Sequence, residues 1–223
     1  MRDRRYRDRH DAGQQLAARL TSDYERPRVI VLALPRGGLP VAAEVAQAMD
    51  APLDVVVVRK IGVPYQPELA MGAMASIAGV EELVLNQDVM DVTRLAPGQD
   101  AFDEIVARER IELGRRESVY RAGREPLDLT DRTVILVDDG MATGSTMMAA
   151  AAAIRRQKPA RLIAVVPVGL GKACERLGTL ANEVVCPWSA KNLGSVGQAY
   201  ISFDQTSDAE VQDILADAWS RGR

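Results

Sequence analysis

Cysteine, histidine and lysine are scarce in this chain, and each scarcity closes off a class of explanation. Two cysteines in 223 residues, Cys174 and Cys186, are too few for a disulfide framework. Neither stands in a CxxC or CxxH setting, Cys186 ends an apolar run, and both read as incidental thiols. The single histidine, His10, lies among charged residues and reads as a surface group rather than a catalytic base. The lysines are Lys60, Lys158, Lys172 and Lys191, and no Gly-Lys-Ser or Gly-Lys-Thr occurs, which excludes the lysine-bearing nucleotide loop. No apolar run reaches the ~18–20 residues of a membrane span, and the opening MRDRRYRDRH lacks the apolar stretch of a secretory leader. The expectation is a cytoplasmic protein with no membrane partner. A net charge of −3 argues against a protein that coats nucleic acid.

What is present suits a folded core: 47% of the residues are hydrophobic and 26% charged. Short β-branched runs alternate with amphipathic or Ala-rich stretches, the pattern of a parallel sheet flanked by helices. The strand candidates are 29–34, 53–58, 133–137, 162–168 and 183–186, each nearly continuous in apolar residues as for strands covered on both faces. Helix candidates are 40–49, 145–157, 171–177 and 208–219, the last with Ser207 as N-cap. Residues 62–130 break the alternation. They contain two weak strand-like pieces, 69–77 and 82–85, a turn at Pro97-Gly98 and a charged helix at 102–121. That is too long for a plain connection and reads as a flap or subdomain. The opening arginines, Arg2, Arg4, Arg5, Arg7 and Arg9, alternate with Asp3 and Asp8 and read as a salt-bridged helix start rather than an RNA-binding arm.

The most informative segment is VILVDDGMATGST at 134–146. A buried strand delivers Asp138 and Asp139 at its carboxyl end, a turn of small residues follows, and a helix begins. Ligands of open α/β sheets bind beyond the carboxyl ends of the strands. In the turn Ala142-Thr143-Gly144-Ser145-Thr146, small residues let backbone N–H groups approach a phosphate, hydroxyls add donors, and the helix start adds a favourable dipole. The two acids would repel that phosphate. They suit a diol or a hydrated Mg²⁺. Phosphate acceptor beside diol acceptor describes a ribose 5-phosphate site.

These residues resemble the signature of type I phosphoribosyltransferases, which bind 5-phosphoribosyl 1-diphosphate (PRPP). A second stretch, VLALPRGGLPVA, resembles that family's pyrophosphate loop, with Pro35, Arg36, Gly37 and Gly38 between the first strand and a helix. The glycines permit close backbone approach and unusual dihedrals, and Arg36 supplies charge. Arg59 and Lys60 then end the second strand on the same sheet edge, a further basic pair for the diphosphate. The resemblance implies an α/β fold with a Rossmann-like parallel sheet and one phosphoribosyltransferase domain over residues 1–223, with a flap at about 62–130 and hood elements at about 187–205. It implies PRPP carrying Mg²⁺, a small-molecule acceptor, and displacement of pyrophosphate from C1 by a nitrogen nucleophile, as in nucleotide salvage. Asp138 and Asp139 would hold the ribose hydroxyls and, through PRPP, the Mg²⁺. Residues 142–146 would hold the 5-phosphate and Arg36 the departing diphosphate. One of Arg108, Arg110, Arg115, Arg116 or Arg121 in the charged helix would close over PRPP, and Trp188 would stack on the acceptor. A homodimer is left open. Ala142 stands where oxopurine enzymes of the family carry an aspartate, which disfavours hypoxanthine and guanine. The alternative is a regulatory PRPP- or nucleotide-binding protein of the same fold with little or no catalysis; a phosphosugar hydrolase lacks an evident nucleophile–base pair.

Overall fold

Within the first apolar run, Val29, Val31 and Ala33 are buried on one side of a strand, and Ile30, Leu32 and Leu34 on the other. The same two-sided burial holds at 133–137 and 161–165, so these strands must lie inside a sheet covered on both faces. A computed structural model describes residues 5–20, 28–64, 66–77, 80–93 and 99–221. Arg2, Asp3, Arg4 and the Pro97-Gly98 turn lie outside the described residues.

In chain order the elements are α1 (Arg9–Leu20), β1 (Val29–Ala33), α2 (Gly38–Met49), β2 (Leu53–Val55), β3 (Val57–Val63), β4 (Gln66–Ile77), β5 (Val80–Leu85), α3 (Gln87–Thr93) and α4 (Asp100–Arg121). There follow β6 (Thr133–Val137), α5 (Ser145–Arg156), β7 (Arg161–Val165), β8 (Val168–Leu170), α6 (Ala173–Leu177), β9 (Glu183–Val185), β10 (Trp188–Ala190), a 3-10 turn (Val196–Ala199) and α7 (Asp208–Arg221). Five parallel strands run in the order β2-β1-β6-β7-β9. From β1 the chain passes through α2 to β2 on one side and returns much later to β6 on the other. The order reverses between β1 and β6, and that crevice is where open α/β sheets bind ligands. Residues of α1, α2 and α7 bury one face, and those of α5 and α6 the other. The expected α/β class, a parallel sheet flanked by helices, is what the chain adopts.

Four of the expected strands are shorter than the apolar runs, the first by one residue, since β1 ends at Ala33. The run 53–58 splits at Val56, whose N–H donates to Ala33 O at 3.0 Å; the chain then leaves the parallel sheet for the antiparallel sheet β3-β4-β5. Runs 162–168 and 183–186 end at 165 and 185, ahead of Pro167 and Pro187. A proline has no N–H for a ladder. Beyond each proline the chain forms β8 and β10, which pair with each other in a separate two-stranded sheet. The weak pieces at 69–77 and 82–85 become β4 and β5, with α4 against β3 and α5 against β4. Five consecutive alanines, 149–153, keep α5 slim enough to lie between β4 and the parallel sheet.

Candidate active site

At the carboxyl ends of β1 and β6 the two sequence motifs meet. The Asp138 N–H donates to Val165 O at 3.3 Å, and the Asp138 carboxylate accepts the Asp139 N–H at 2.8 Å, which fixes the acidic turn from within. The glycines of the facing loop are needed for space. A Cβ on Gly37 would lie 2.1 Å from Asp139 Oδ2, and one on Gly38 would lie 2.9 Å from Val137 O. Unusual dihedrals, expected from the sequence, are not the reason: Gly37 is helical at φ −60°, and neither glycine has a positive φ. Burial raises both carboxyls above the usual carboxylate range. The charge of Asp139 raises Asp138 further, whereas Arg9 partly offsets the rise at Asp139.

The turn at 142–146 leads into α5. Gly144 caps the helix at φ +85°, a conformation that favours glycine, and its carbonyl accepts the Met148 N–H at 2.9 Å. Thr143 Oγ1 and Ser145 Oγ lie 3.2 Å apart, and both residues line a cleft of about 200 Å³ with Asn86, Gln87, Met148 and Arg176. The first turn of α5 presents N–H groups without partners inside the helix. Ala142 and Thr143 are exposed, and Ser145 and Thr146 half-buried. Arg176, from α6, had no motif to mark it; among the described residues its guanidinium forms no ion pair.

The opening segment supplies a group that the sequence reading gave only to a solvated helix. Arg9 Nε donates to Asp139 Oδ2 at 2.8 Å, its NH1 to Asp204 O at 2.6 Å, and its guanidinium lies 3.9 Å from the Phe203 ring centroid. Arg9 and Asp139 side chains are 12% and 14% exposed, so this is a sheltered pair. Tyr200, stacked on Phe203, donates its hydroxyl to the Asp139 carbonyl. Arg5 and Arg7 are exposed, and His10 is exposed beside Glu44. Trp188 packs against Tyr6 in the apolar cluster of β8, β10 and residues 196–200, and Phe203 rather than Trp188 is the ring beside the acids.

The remaining cations are placed differently from expectation. Arg36 follows a cis Pro35-Arg36 bond and reaches Asp208 only at 3.9 Å. Arg59 and Lys60 do not end β2 at the parallel sheet's edge; they lie inside β3, because the chain changes sheets at Val56. Arg59 is taken up by Glu109, at 2.6 and 2.9 Å, and Lys60 is exposed. In α4, Arg108 pairs with Glu109, Arg110 with Glu81, and Arg115 and Arg116 with Glu112, whose carboxyl they hold down at about 2. Arg121 is buried against Asp54 at 2.7 Å.

The small-residue turn and the acid pair thus stand together at the switch point of a parallel sheet. The family comparison agrees with that arrangement. Residues 6–192 match the phosphoribosyl transferase domain, and the chain belongs to that family. It is 47% identical over 208 residues to "Putative phosphoribosyl transferase Rv0571c" of Mycobacterium tuberculosis (strain ATCC 25618 / H37Rv), and equally to the protein MT0597 of the same name in strain CDC 1551 / Oshkosh. The match covers 93% of this chain and 46% of either relative, so the chain spans about half their length. Among solved structures it is similar to TT1426 from Thermus thermophilus, with TM-score 0.77 and 39% identity over 96% of this chain and 98% of that one. AQ2163 from Aquifex aeolicus shares the fold at TM-score 0.52 and 11% identity, over 93% and 84% of the two chains. No helix among the described residues is long and apolar enough to cross a membrane.

Proposed function

We propose that this chain transfers ribose 5-phosphate from PRPP to a nitrogen acceptor and releases pyrophosphate. The observation that carries the reading is the meeting of Asp138-Asp139, the 142–146 turn and the Pro35–Gly38 loop at the β1/β6 crevice. The turn binds the 5-phosphate through helix-start N–H groups and the hydroxyls of Thr143, Ser145 and Thr146. The acids accept hydrogen bonds from the ribose hydroxyls as positive charge develops on the ring, and Arg36, loosely held at 3.9 Å, stays available to the diphosphate. The long connection at 62–130 serves as the flap, and residues 187–205 as the hood, within one domain.

The donor set fits Mg²⁺ borne by the substrate. Two carboxylates stand together in the site, and no group of three or more metal-ligating side chains occurs among the described residues. Asp138 and Asp139 would hold the ion's outer water shell, and the ion would neutralise the leaving diphosphate. Arg9 engages one oxygen of Asp139, so it orients that carboxylate and limits how much negative charge the pair presents. With Ala142 at the acceptor side of the turn, no carboxylate is supplied there for an oxopurine.

The test is mass spectrometry after incubation with PRPP, Mg²⁺ and a panel of nucleobases and amines that includes hypoxanthine and guanine. Pyrophosphate release with formation of a ribosyl 5-phosphate product supports the reading. Failure to bind PRPP sinks it, and PRPP binding without release for any acceptor supports the regulatory alternative. A preference for hypoxanthine or guanine would overturn the Ala142 argument alone.

A further inference from the structure

The two cysteines are twelve positions apart, on different elements, yet both thiols face the same backbone atom. A Cβ on Gly169 of β8 would meet Cys174 Sγ at 2.3 Å and Cys186 Sγ at 3.0 Å, so a glycine there leaves room for the pair. Cys174 sits in the first turn of α6 and Cys186 just beyond β9, so the two thiols are neighbours across Gly169, and Cys186 donates to Trp188 O at 3.7 Å. Both are half-buried, within reach of a small reagent. The strand they flank also holds the phosphate turn: Met141 N–H donates to Val168 O at 2.9 Å, and Leu170 N–H to Met141 O at 2.8 Å. Met141 Sδ and Ala173 O of α6 lie 3.3 and 3.7 Å from where a Gly144 Cβ would stand.

We propose that Cys174 and Cys186 are a redox-active dithiol, oxidised by low-molecular-weight disulfides to an intramolecular bridge, and that β8 transmits the change to the phosphate turn. The thiols are not equivalent. The neighbouring Cys186 thiol favours the Cys174 thiolate, while Cys174 and burial push Cys186 up, so Cys174 attacks and Cys186 resolves. The Cys174 thiolate attacks one sulfur of an organic disulfide and expels a thiolate, leaving a mixed disulfide. Cys186 then gives its proton to solvent, attacks Cys174 Sγ and expels the second thiolate. Two protein thiols are oxidised, and one external disulfide is reduced to two thiols.

The experiment treats the reduced full chain with glutathione disulfide, caps remaining thiols with a maleimide and reads the intact mass. The expected product has lost two hydrogens, takes up no maleimide and regains both thiols with dithiothreitol. Cys186→Ser should trap one glutathione on Cys174, and Cys174→Ser should react about tenfold more slowly. Cys→Ala versions repeat the test if a serine variant does not fold. Two glutathiones on one chain, or full maleimide uptake after long exposure, would overturn the bridge. Hydrogen exchange then compares reduced and oxidised chains without any substrate: altered protection at 141–146 is expected, and identical protection would overturn the coupling through β8.

Discussion

Between Gly37 and Asp139 there is no room for a methyl group, and that gives the site its sharpest single-residue test. Gly37→Ala would push the Asp139 carboxylate away from Arg9 or displace the Pro35–Gly38 loop. A displacement of about 1 Å in such a constellation costs on the order of 10²-fold in rate. The expected outcome is a fall of that size in kcat/KM with the far-ultraviolet circular dichroism unchanged; steady-state kinetics at wild-type level would refute the packing argument. The acids differ from each other. Both have carboxyls raised by burial, so the pair costs stability as pH rises through its folded-state titration, and the cost vanishes below the ordinary carboxylate value of 3.8. Asp138→Asn should therefore stabilise the fold at neutral pH, by on the order of 1–2 kcal/mol, while weakening PRPP binding. Its amide oxygen can still accept the Asp139 N–H. Asp139→Asn should gain less, because Arg9 loses its counter-charge. Thermal melts at pH 7 and near pH 4 check the sign: an Asp138→Asn gain that persists undiminished in acid would contradict it. The acids, the glycines and the turn at 142–146 were legible in the sequence because each motif is local. Arg9 and Tyr200 were not, since they reach Asp139 from 130 and 61 positions away.

Element by element, legibility followed the chain's own punctuation. Pro167 stands inside one apolar run and Pro187 directly after another, and they mark where β7 and β9 stop. Val56 carries no such mark, because a valine serves equally in either sheet, and the misplacement of Arg59 and Lys60 came from that unmarked change. The same geometry divides the proposed flap into firm and free parts. The end of α4 is fastened by the buried Arg121–Asp54 pair, by Tyr120 donating to Asp208 at 2.7 Å, and by Ser76 donating to Glu117 at 2.7 Å. Segment 86–93 has fewer anchors, with Val92 81% exposed, and it borders the cleft shared with Thr143 and Ser145. PRPP with Mg²⁺ should raise hydrogen-exchange protection at 86–93 and leave the end of α4 unchanged. Equal protection at 86–93 with and without ligand would remove that segment from the closing motion.

On the scale of the whole chain, the two large hydrophobic cores are shared between the parallel sheet and the antiparallel one. The first joins Leu16, Val31 and Val211 to Ile61, Met74 and Leu113; the second joins Ile30, Leu136 and Ile154 to Ala73, Ala75 and Ile77. Burying a single large aliphatic side chain is worth about 1.5–3 kcal/mol, so pulling the antiparallel sheet from α5 would forfeit several such terms at once. The described residues of 57–121 therefore share their hydrophobic interior with the elements around the parallel sheet, and the cleft lined by Thr143 and Ser145 borders them through Asn86 and Gln87. Calorimetry should show one cooperative unfolding transition. On the proposed function PRPP with Mg²⁺ would bind only the assembled crevice, and should then move that transition as a whole, by about 2.7 kcal/mol at 100 times Kd, or about 5–10 °C for a chain of this size. Two resolved transitions, with the ligand shifting only one of them, would show that the antiparallel sheet and α4 form an independent unit and that the inserted region is not part of a single domain.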